Sequence, residues 1–189
     1  FRRRLKQEGG AAVPTLLAFV ARAVAVSLKS FPAFNASLDP FGEEVFYKRY
    51  YNLGIAVDTP RGLVVPVVRD VDKRGLGDVA RGIEDAAGRA RAGTLQPSDF
   101  QGGTFTITNI GALGGTGFFP AINYPESAIL GMGRVADKPV VRDGAIGVRR
   151  ILPVVLAFDH RIADGADAAR FVNAVKRLLE DPMRMLIEA

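Results

Sequence analysis

Ile151-Leu152-Pro153-Val154-Val155-Leu156-Ala157-Phe158 is an unbroken apolar run that passes straight into Asp159-His160-Arg161-Ile162-Ala163-Asp164-Gly165. After it, Ala168, Phe171, Val172, Val175, Leu178 and Leu179 recur at three- and four-residue intervals until Asp181-Pro182. The apolar run predicts a buried strand and the periodic stretch a helix from near Gly165, stopped by the proline. A buried strand, a charged connection and an amphipathic helix in succession indicate a mixed α/β domain.

Working outward, the same alternation of element types recurs. Residues 13–28 are apolar and alanine-rich, interrupted by Arg22, with Pro14 and Thr15 at one end and Phe31-Pro32 at the other. They predict a buried helix, too short for the roughly 20 residues of a bilayer span. The valine-rich runs 53–58 and 63–70, joined by Thr59-Pro60-Arg61-Gly62, predict two adjoining strands. Leu76, Val79, Ala80, Ile83, Ala87 and Ala90 predict an amphipathic helix. Thr104-Phe105-Thr106-Ile107-Thr108 predicts a strand, and it leads into Gly111-Ala112-Leu113-Gly114-Gly115-Thr116-Gly117, too glycine-dense for either regular element. A further strand is expected over 127–133, with a turn at Asp143-Gly144. The expected fold is therefore one mixed α/β domain over residues 1–189.

The composition limits the chemistry. The 189 residues hold no cysteine and one histidine, with a formal net charge of +5. Thiolate metal sites and cysteine nucleophiles are excluded, as is a multi-histidine metal site within one chain. Imidazole-dependent proton transfer must pass through His160, which lies at a strand end, where reactive groups usually project. The alternative is a structural histidine. Asp164 either orients its ring or pairs with Arg161. The glycine segment lacks the Gly-Lys-Ser or Gly-Lys-Thr of a phosphate loop and does not open a helix, so it is either a backbone cradle for an extended ligand or a tight connection. Thr108, just before it, is placed to donate to an oxyanion or is simply a β-former. The basic residues are scattered except at Arg2–Lys6, and no aromatic-interleaved basic stripe points to nucleic acid. No secretory signal pattern is present.

Asp159-His160-Arg161-Ile162-Ala163-Asp164-Gly165 resembles the His-x-x-x-Asp-Gly signature of the dihydrolipoyl acyltransferases, the core components of 2-oxo acid dehydrogenase complexes. Gly103-Thr104-Phe105-Thr106-Ile107-Thr108-Asn109-Ile110-Gly111 is similar to the same family. So are Gly114-Gly115-Thr116-Gly117-Phe118-Phe119-Pro120-Ala121-Ile122-Asn123, Ala128-Ile129-Leu130-Gly131, Phe34-Asn35 and the segment from Ala56 to Val67. The histidine signature alone is shared with chloramphenicol acetyltransferases; the other segments are not.

The resemblance implies a mixed β-sheet flanked by helices in a chloramphenicol-acetyltransferase-like trimer, built into a cubic 24-mer or a dodecahedral 60-mer, with the active site in a channel between subunits. It implies His160 as the base, Thr108 from a neighbouring subunit as oxyanion donor, and Phe118 as a channel-lining aromatic. Asp164 would act by pairing with Arg161, and Met185, Leu186 and Ile187 would dock into an adjacent trimer. Coenzyme A would be a substrate, the lipoyl group would arrive on a separate domain, and no metal is expected. Partners would be that lipoyl domain and the 2-oxo acid dehydrogenase and dihydrolipoyl dehydrogenase components, with neither nucleic acid nor membrane. The compartment would be bacterial cytoplasm or mitochondrial matrix. The chain opens on Phe1, so the catalytic domain is expected to be shortened at its N-terminus, without the lipoyl and partner-binding domains. Acetyl is the first choice of acyl group, with branched-chain and succinyl types as alternatives. A catalytically silent core scaffold and a free-standing acetyltransferase are the competing readings. Asp137-Lys138 has a lipoyl-site look, but its Pro139 context assigns it to a surface turn.

Overall fold

A computed structural model describes residues 14–187 apart from Pro40, Gly42 and Glu43. Helix α1 (Leu16–Ser30) is buried along most of its length, which explains its alanine and valine content. Thr15 caps it by accepting from the Ala18 N–H at 3.3 Å. Its one interior charge, Arg22, donates to the carbonyls of Val71 and Asp72 at 3.0 and 2.7 Å. Helix α2 (Leu76–Ala92) ends at Gly93, whose φ of 69° is the left-handed conformation that favours glycine. Helix α3 (Gly165–Glu180) and the short α4 (Arg184–Ile187) close the chain. α1 packs against α2, α3 and α4.

The strands are β1 (Ala36–Leu38), β2 (Val45–Tyr47), β3 (Leu53–Ile55), β4 (Val57–Thr59), β5 (Gly62–Val64), β6 (Val67–Val68), β7 (Phe105–Asn109), β8 (Ala128–Met132), β9 (Ala136–Arg142), β10 (Ala145–Ile151) and β11 (Val154–Phe158). Five of them form the central sheet in the order β11-β8-β7-β3-β6. β7 runs parallel to β3 and β8, while β11 and β6 are antiparallel edges. The sheet is therefore mixed and the domain α/β, as expected.

Alternation along the strands gives each sheet face its own role. Phe105, Ile107, Ala128, Leu130 and Met132 are all buried. Phe105 stacks on Phe171 of α3 at 5.8 Å, and Phe34 joins Phe171 and Phe158 at 4.9 and 5.9 Å. This is the helix-covered face. Thr106, Thr108, Ile129 and Gly131, which alternate with those residues, point to the other face, where the chemistry gathers.

Three expected strands are divided in the structure. The 53–70 pair is a hairpin whose base, β3 with β6, belongs to the central sheet and whose tip, β4 with β5, is a separate ribbon. Pro66 has no N–H for the ladder, and the Ala56 N–H bonds instead to the Ile107 carbonyl at 3.0 Å. The run 151–158 splits at Pro153: Ile151 ends β10, and β11 starts at Val154. β9 and β10 form a ribbon outside the central sheet, turning at Asp143 and Gly144 with φ of 53° and 77°. Asp137 and Lys138 lie on β9, paired with Arg150 and Arg149, so their assignment to a surface turn is corrected. The β1–β2 pair, lacking a distinctive alternation, was not expected. Among the described residues no helix is long and apolar enough to cross a membrane.

Candidate active site

His160 stands exposed at the exit of β11. The strand is held to the last by the Asp159 N–H, which donates to the Ser127 carbonyl at 2.8 Å. The Phe158 and His160 rings lie 5.5 Å apart, which sets the imidazole beside the apolar end of the strand. Arg161 turns back onto Asp159, with its Nε 2.9 Å from Oδ1 and its terminal nitrogen 2.5 Å from Oδ2. Asp164 accepts from the Asp167 N–H at 2.8 Å and caps α3.

The expected Arg161–Asp164 pair is thus corrected within the chain. Asp159 is the nearer carboxylate, and Asp164 is committed to the orphan amides of the helix start. That amide bond holds the Asp164 carboxyl below the usual carboxylate range, helped by Arg170 and by His160 itself. The Asp159 carboxyl is lowered chiefly by its bond to Arg161.

Thr108 lies at the far end of the sheet. It is half-buried on β7, in register with Gly131 of β8. A Cβ at Gly131 would come within 2.6 Å of the Phe118 ring, so the missing side chain is what lets Phe118 lie over the sheet next to Thr108. The glycine segment folds back over this end. The Ile110 N–H reaches the Met132 carbonyl at 3.0 Å, and the Arg134 N–H reaches Gly115 at 2.7 Å. A Cβ on Gly111 would meet the Gly133 carbonyl oxygen at 2.5 Å. The tight-connection reading accounts for that glycine without a ligand, whereas Phe119 beside it is fully in solvent.

His160 follows Phe158, which pairs with Ala128, whereas Thr108 pairs with Gly131 at the opposite end of β8. About five strand positions at ~3.3 Å each and two strand spacings of ~4.8 Å separate their backbones by roughly 19 Å. No side chain closes that gap, so the two groups do not meet within one chain.

Beside the His160 end, Lys29, Phe31, Phe34, Tyr47, Lys48, Arg49 and Asp167 line a cleft of about 640 Å³. Behind it is a group that the sequence reading missed. Glu126 is buried, accepts from Thr106 Oγ1 at 2.6 Å and from Asn123 Nδ2 at 3.3 Å, and fills the space a Cβ on Gly103 would need. Burial pushes its carboxyl up to about 7, against the two hydrogen bonds and Lys48, which pull it down. Its signal in the sequence is a lone acidic residue immediately before the apolar strand 127–133.

The folded chain keeps the Glu126 proton at pH values where the unfolded chain, titrating near 4.5, has lost it. Stability therefore falls as pH rises from about 5 to 8, by about 2–3 kcal/mol from this group. Glu126→Gln should remove that part of the dependence in urea unfolding at the two pH values; equal slopes in both proteins would contradict it.

Met185, expected to dock into an adjacent trimer, faces inward instead. It is 5% exposed and belongs to the chain's own core against α1, because α4 folds back beneath the domain. Leu186 and Ile187 share that short helix. The Arg2–Lys6 cluster lies outside the described residues.

Residues 1–187 match the 2-oxoacid dehydrogenases acyltransferase catalytic domain. The chain belongs to this acyltransferase family. It is 47% identical over 175 residues to the dihydrolipoyllysine-residue acetyltransferase component of the Bacillus subtilis pyruvate dehydrogenase complex, which covers 93% of this chain and 40% of that one. The chain therefore spans about 40% of the length of such curated relatives.

Among solved structures, it superposes on Azotobacter vinelandii dihydrolipoamide acetyltransferase with a TM-score of 0.91 and 39% identity, covering 98% of this chain and 76% of that one. That structure was solved to investigate a serine, a histidine and an asparagine in catalysis, spaced in its chain as Thr108, His160 and Asp164 are here. The subunit of a cubic pyruvate dehydrogenase core gives 0.90 and 40%, covering 98% and 75%. Chloramphenicol acetyltransferase shares the fold, with a TM-score of 0.56 at 18% identity over 94% of this chain and 82% of that one. The acyltransferase fold class expected from the sequence is thus the one observed.

Proposed function

We propose that this acyltransferase domain moves an acyl group, acetyl first, between dihydrolipoamide and coenzyme A in the core of a 2-oxo acid dehydrogenase complex. The observation that carries the reading is the pairing of one exposed imidazole at a strand exit with a hydroxyl at the opposite sheet end, in a chain whose relatives are acetyltransferase components. The roughly 19 Å between them means that a site using both is built from two subunits. A trimer, in which each subunit presents one end to a neighbour, satisfies that requirement three times over. A larger cubic or dodecahedral assembly of such trimers is consistent with the cubic-core relative.

An aliphatic thiol, with a pKa of about 8.5, is only a few per cent ionised at neutral pH, so attack needs a base. His160 takes the proton of the coenzyme A thiol. The thiolate sulfur attacks the thioester carbonyl of S-acyl-dihydrolipoamide, and the partner copy's Thr108 hydroxyl donates to the oxyanion. On collapse the carbon–sulfur bond to dihydrolipoamide breaks, and the imidazolium returns the proton to that sulfur. One thioester replaces another, so the proton and electron balance closes without a further reactant. Asp164 acts through the backbone: by capping α3 it fixes the loop that carries His160. Phe118 walls the Thr108 end. Lys29, Lys48 and Arg49 give the cleft beside His160 a positive lining suited to the phosphates of coenzyme A.

The lipoyl domain and the dehydrogenase components would engage through parts of the whole protein beyond this domain, and the bacterial relatives favour a cytoplasmic setting. Two competitors remain distinguishable: a silent scaffold has no need of Thr108 and His160 together, and a free-standing enzyme would acylate a small alcohol.

The test is acetyl transfer from acetyl-CoA to dihydrolipoamide by the assembled protein. Thr108→Ala should lower kcat about 10²-fold with little change in either KM, because the hydroxyl acts on charge present only in the transition state, while Thr108→Ser should retain most activity. An assembled protein that transfers no acetyl, propionyl, isobutyryl or succinyl group is the result that would favour the scaffold.

A further inference from the structure

Ser127 stands immediately before β8 and is 2% exposed. Its carbonyl holds the Asp159 N–H at the strand exit that carries His160, and its hydroxyl binds a different segment. Oγ donates to the Ala33 carbonyl at 2.9 Å and accepts from the Ala36 N–H at 3.3 Å. Both capacities of the hydroxyl are thus spent on one stretch of backbone, 94 and 91 positions earlier in the chain.

That stretch builds the cleft beside His160. Ala33 and Phe34, on the turn Pro32–Asn35, line it. The buried Asn35 carries the tie onward: its Nδ2 donates to the Lys48 and Tyr50 carbonyls at 2.9 and 3.1 Å, and its own carbonyl accepts from the Lys48 N–H at 3.0 Å. Lys48 and Arg49 belong to the cationic lining of the cleft. The segment that bears the base and the segment that bears these cations are therefore joined through Ser127 by directional bonds at every step. The Phe34 and Phe158 rings, 5.9 Å apart, span the same two segments, but apolar contact is non-directional and tolerates sliding. A hydroxyl bonded on both sides does not.

We propose that Ser127 is a positioning residue for acyl transfer: it sets the separation between the cleft that grips the phosphates of coenzyme A and the imidazole that takes its thiol proton. The proposal rests on the reading of His160 and the cleft given above. Ser127 itself touches no substrate. A long thiol held at its phosphate end meets His160 correctly only when those two anchor points are fixed relative to each other. A misplacement of about 1 Å at the reacting atom costs up to about 10²-fold in rate. A short thiol without phosphates escapes that constraint.

A change of acceptor thiol separates positioning from general weakening. The assembled protein is given S-acetyl-dihydrolipoamide and either coenzyme A or pantetheine, the same thiol arm without the phosphates. The unsubstituted protein should favour coenzyme A in kcat/KM. Ser127→Ala should lower kcat with coenzyme A about 10-fold at an unchanged KM, while kcat/KM for pantetheine stays within about 2-fold, so that most of the preference is lost. Ser127→Thr, which keeps the hydroxyl, should restore it. Should Ser127→Ala fail to fold by circular dichroism, Ser127→Cys, with its weak donor and acceptor, decides by the same ratio. Equal losses with both thiols, or no loss with either, would overturn the proposal and leave the hydroxyl a structural role alone. An unsubstituted protein that uses the two thiols alike would instead remove the cleft as a phosphate site, and the role of Ser127 with it.

Discussion

His160→Ala should lower acyl transfer by about 10³–10⁴-fold while leaving the fold and the assembly in place, since general-base catalysis of this kind contributes on that order. The side chain is exposed and lies along the Phe158 ring, so its removal leaves no buried cavity. The residual rate is itself diagnostic. Without an imidazole, only the thiolate already present in solution can attack, so log rate should climb about one unit per pH unit towards the thiol pKa of about 8.5. The parent protein should show a shallower profile, because the base is supplied locally. The measurement is steady-state transfer from pH 6 to 9, with circular dichroism and sedimentation as controls. An equally active, equally pH-dependent variant would remove His160 from the mechanism.

Much of this site is legible in the chain before any coordinates. The passage from an apolar strand through a charged loop to an amphipathic helix puts His160 at a strand exit, because each of those elements announces itself by its period. Thr108 and the glycine segment are likewise marked by an abrupt change of residue type. What the sequence conceals is long-range. Nothing local tells which strand lies beside which, and so nothing local shows that Thr108 and His160 occupy opposite ends of one sheet; that follows from β7 running parallel and β11 antiparallel to β8.

The other departures have local causes with two possible meanings. Asp164 before Gly165 is as good a helix cap as it is an ion-pair partner, and the cap prevails because the helix start has free amides within reach. Pro153 inside an apolar run reads as strand until the ribbon is seen to leave the sheet there. Glu126 is concealed most deeply. Its burial depends on Thr106, Asn123 and the space over Gly103, which come from distant parts of the chain. Met185, predicted to reach outward, is drawn inward because α4 has apolar surface of its own subunit to cover.

The central claim is that each active site takes its base from one copy and its oxyanion donor from another, and coexpression of two inactive variants tests it most directly. Thr108→Ala supplies His160, His160→Ala supplies Thr108, and neither alone should transfer at more than a small fraction of the parent rate. In randomly mixed trimers, each interface has an even chance of the right residue on each side, so about a quarter of the sites should be intact and transfer should recover to about a quarter of the parent rate. Recovery to that level is the result the account predicts. Mixed trimers no more active than the two variants measured separately would place both groups in one chain's site and contradict it.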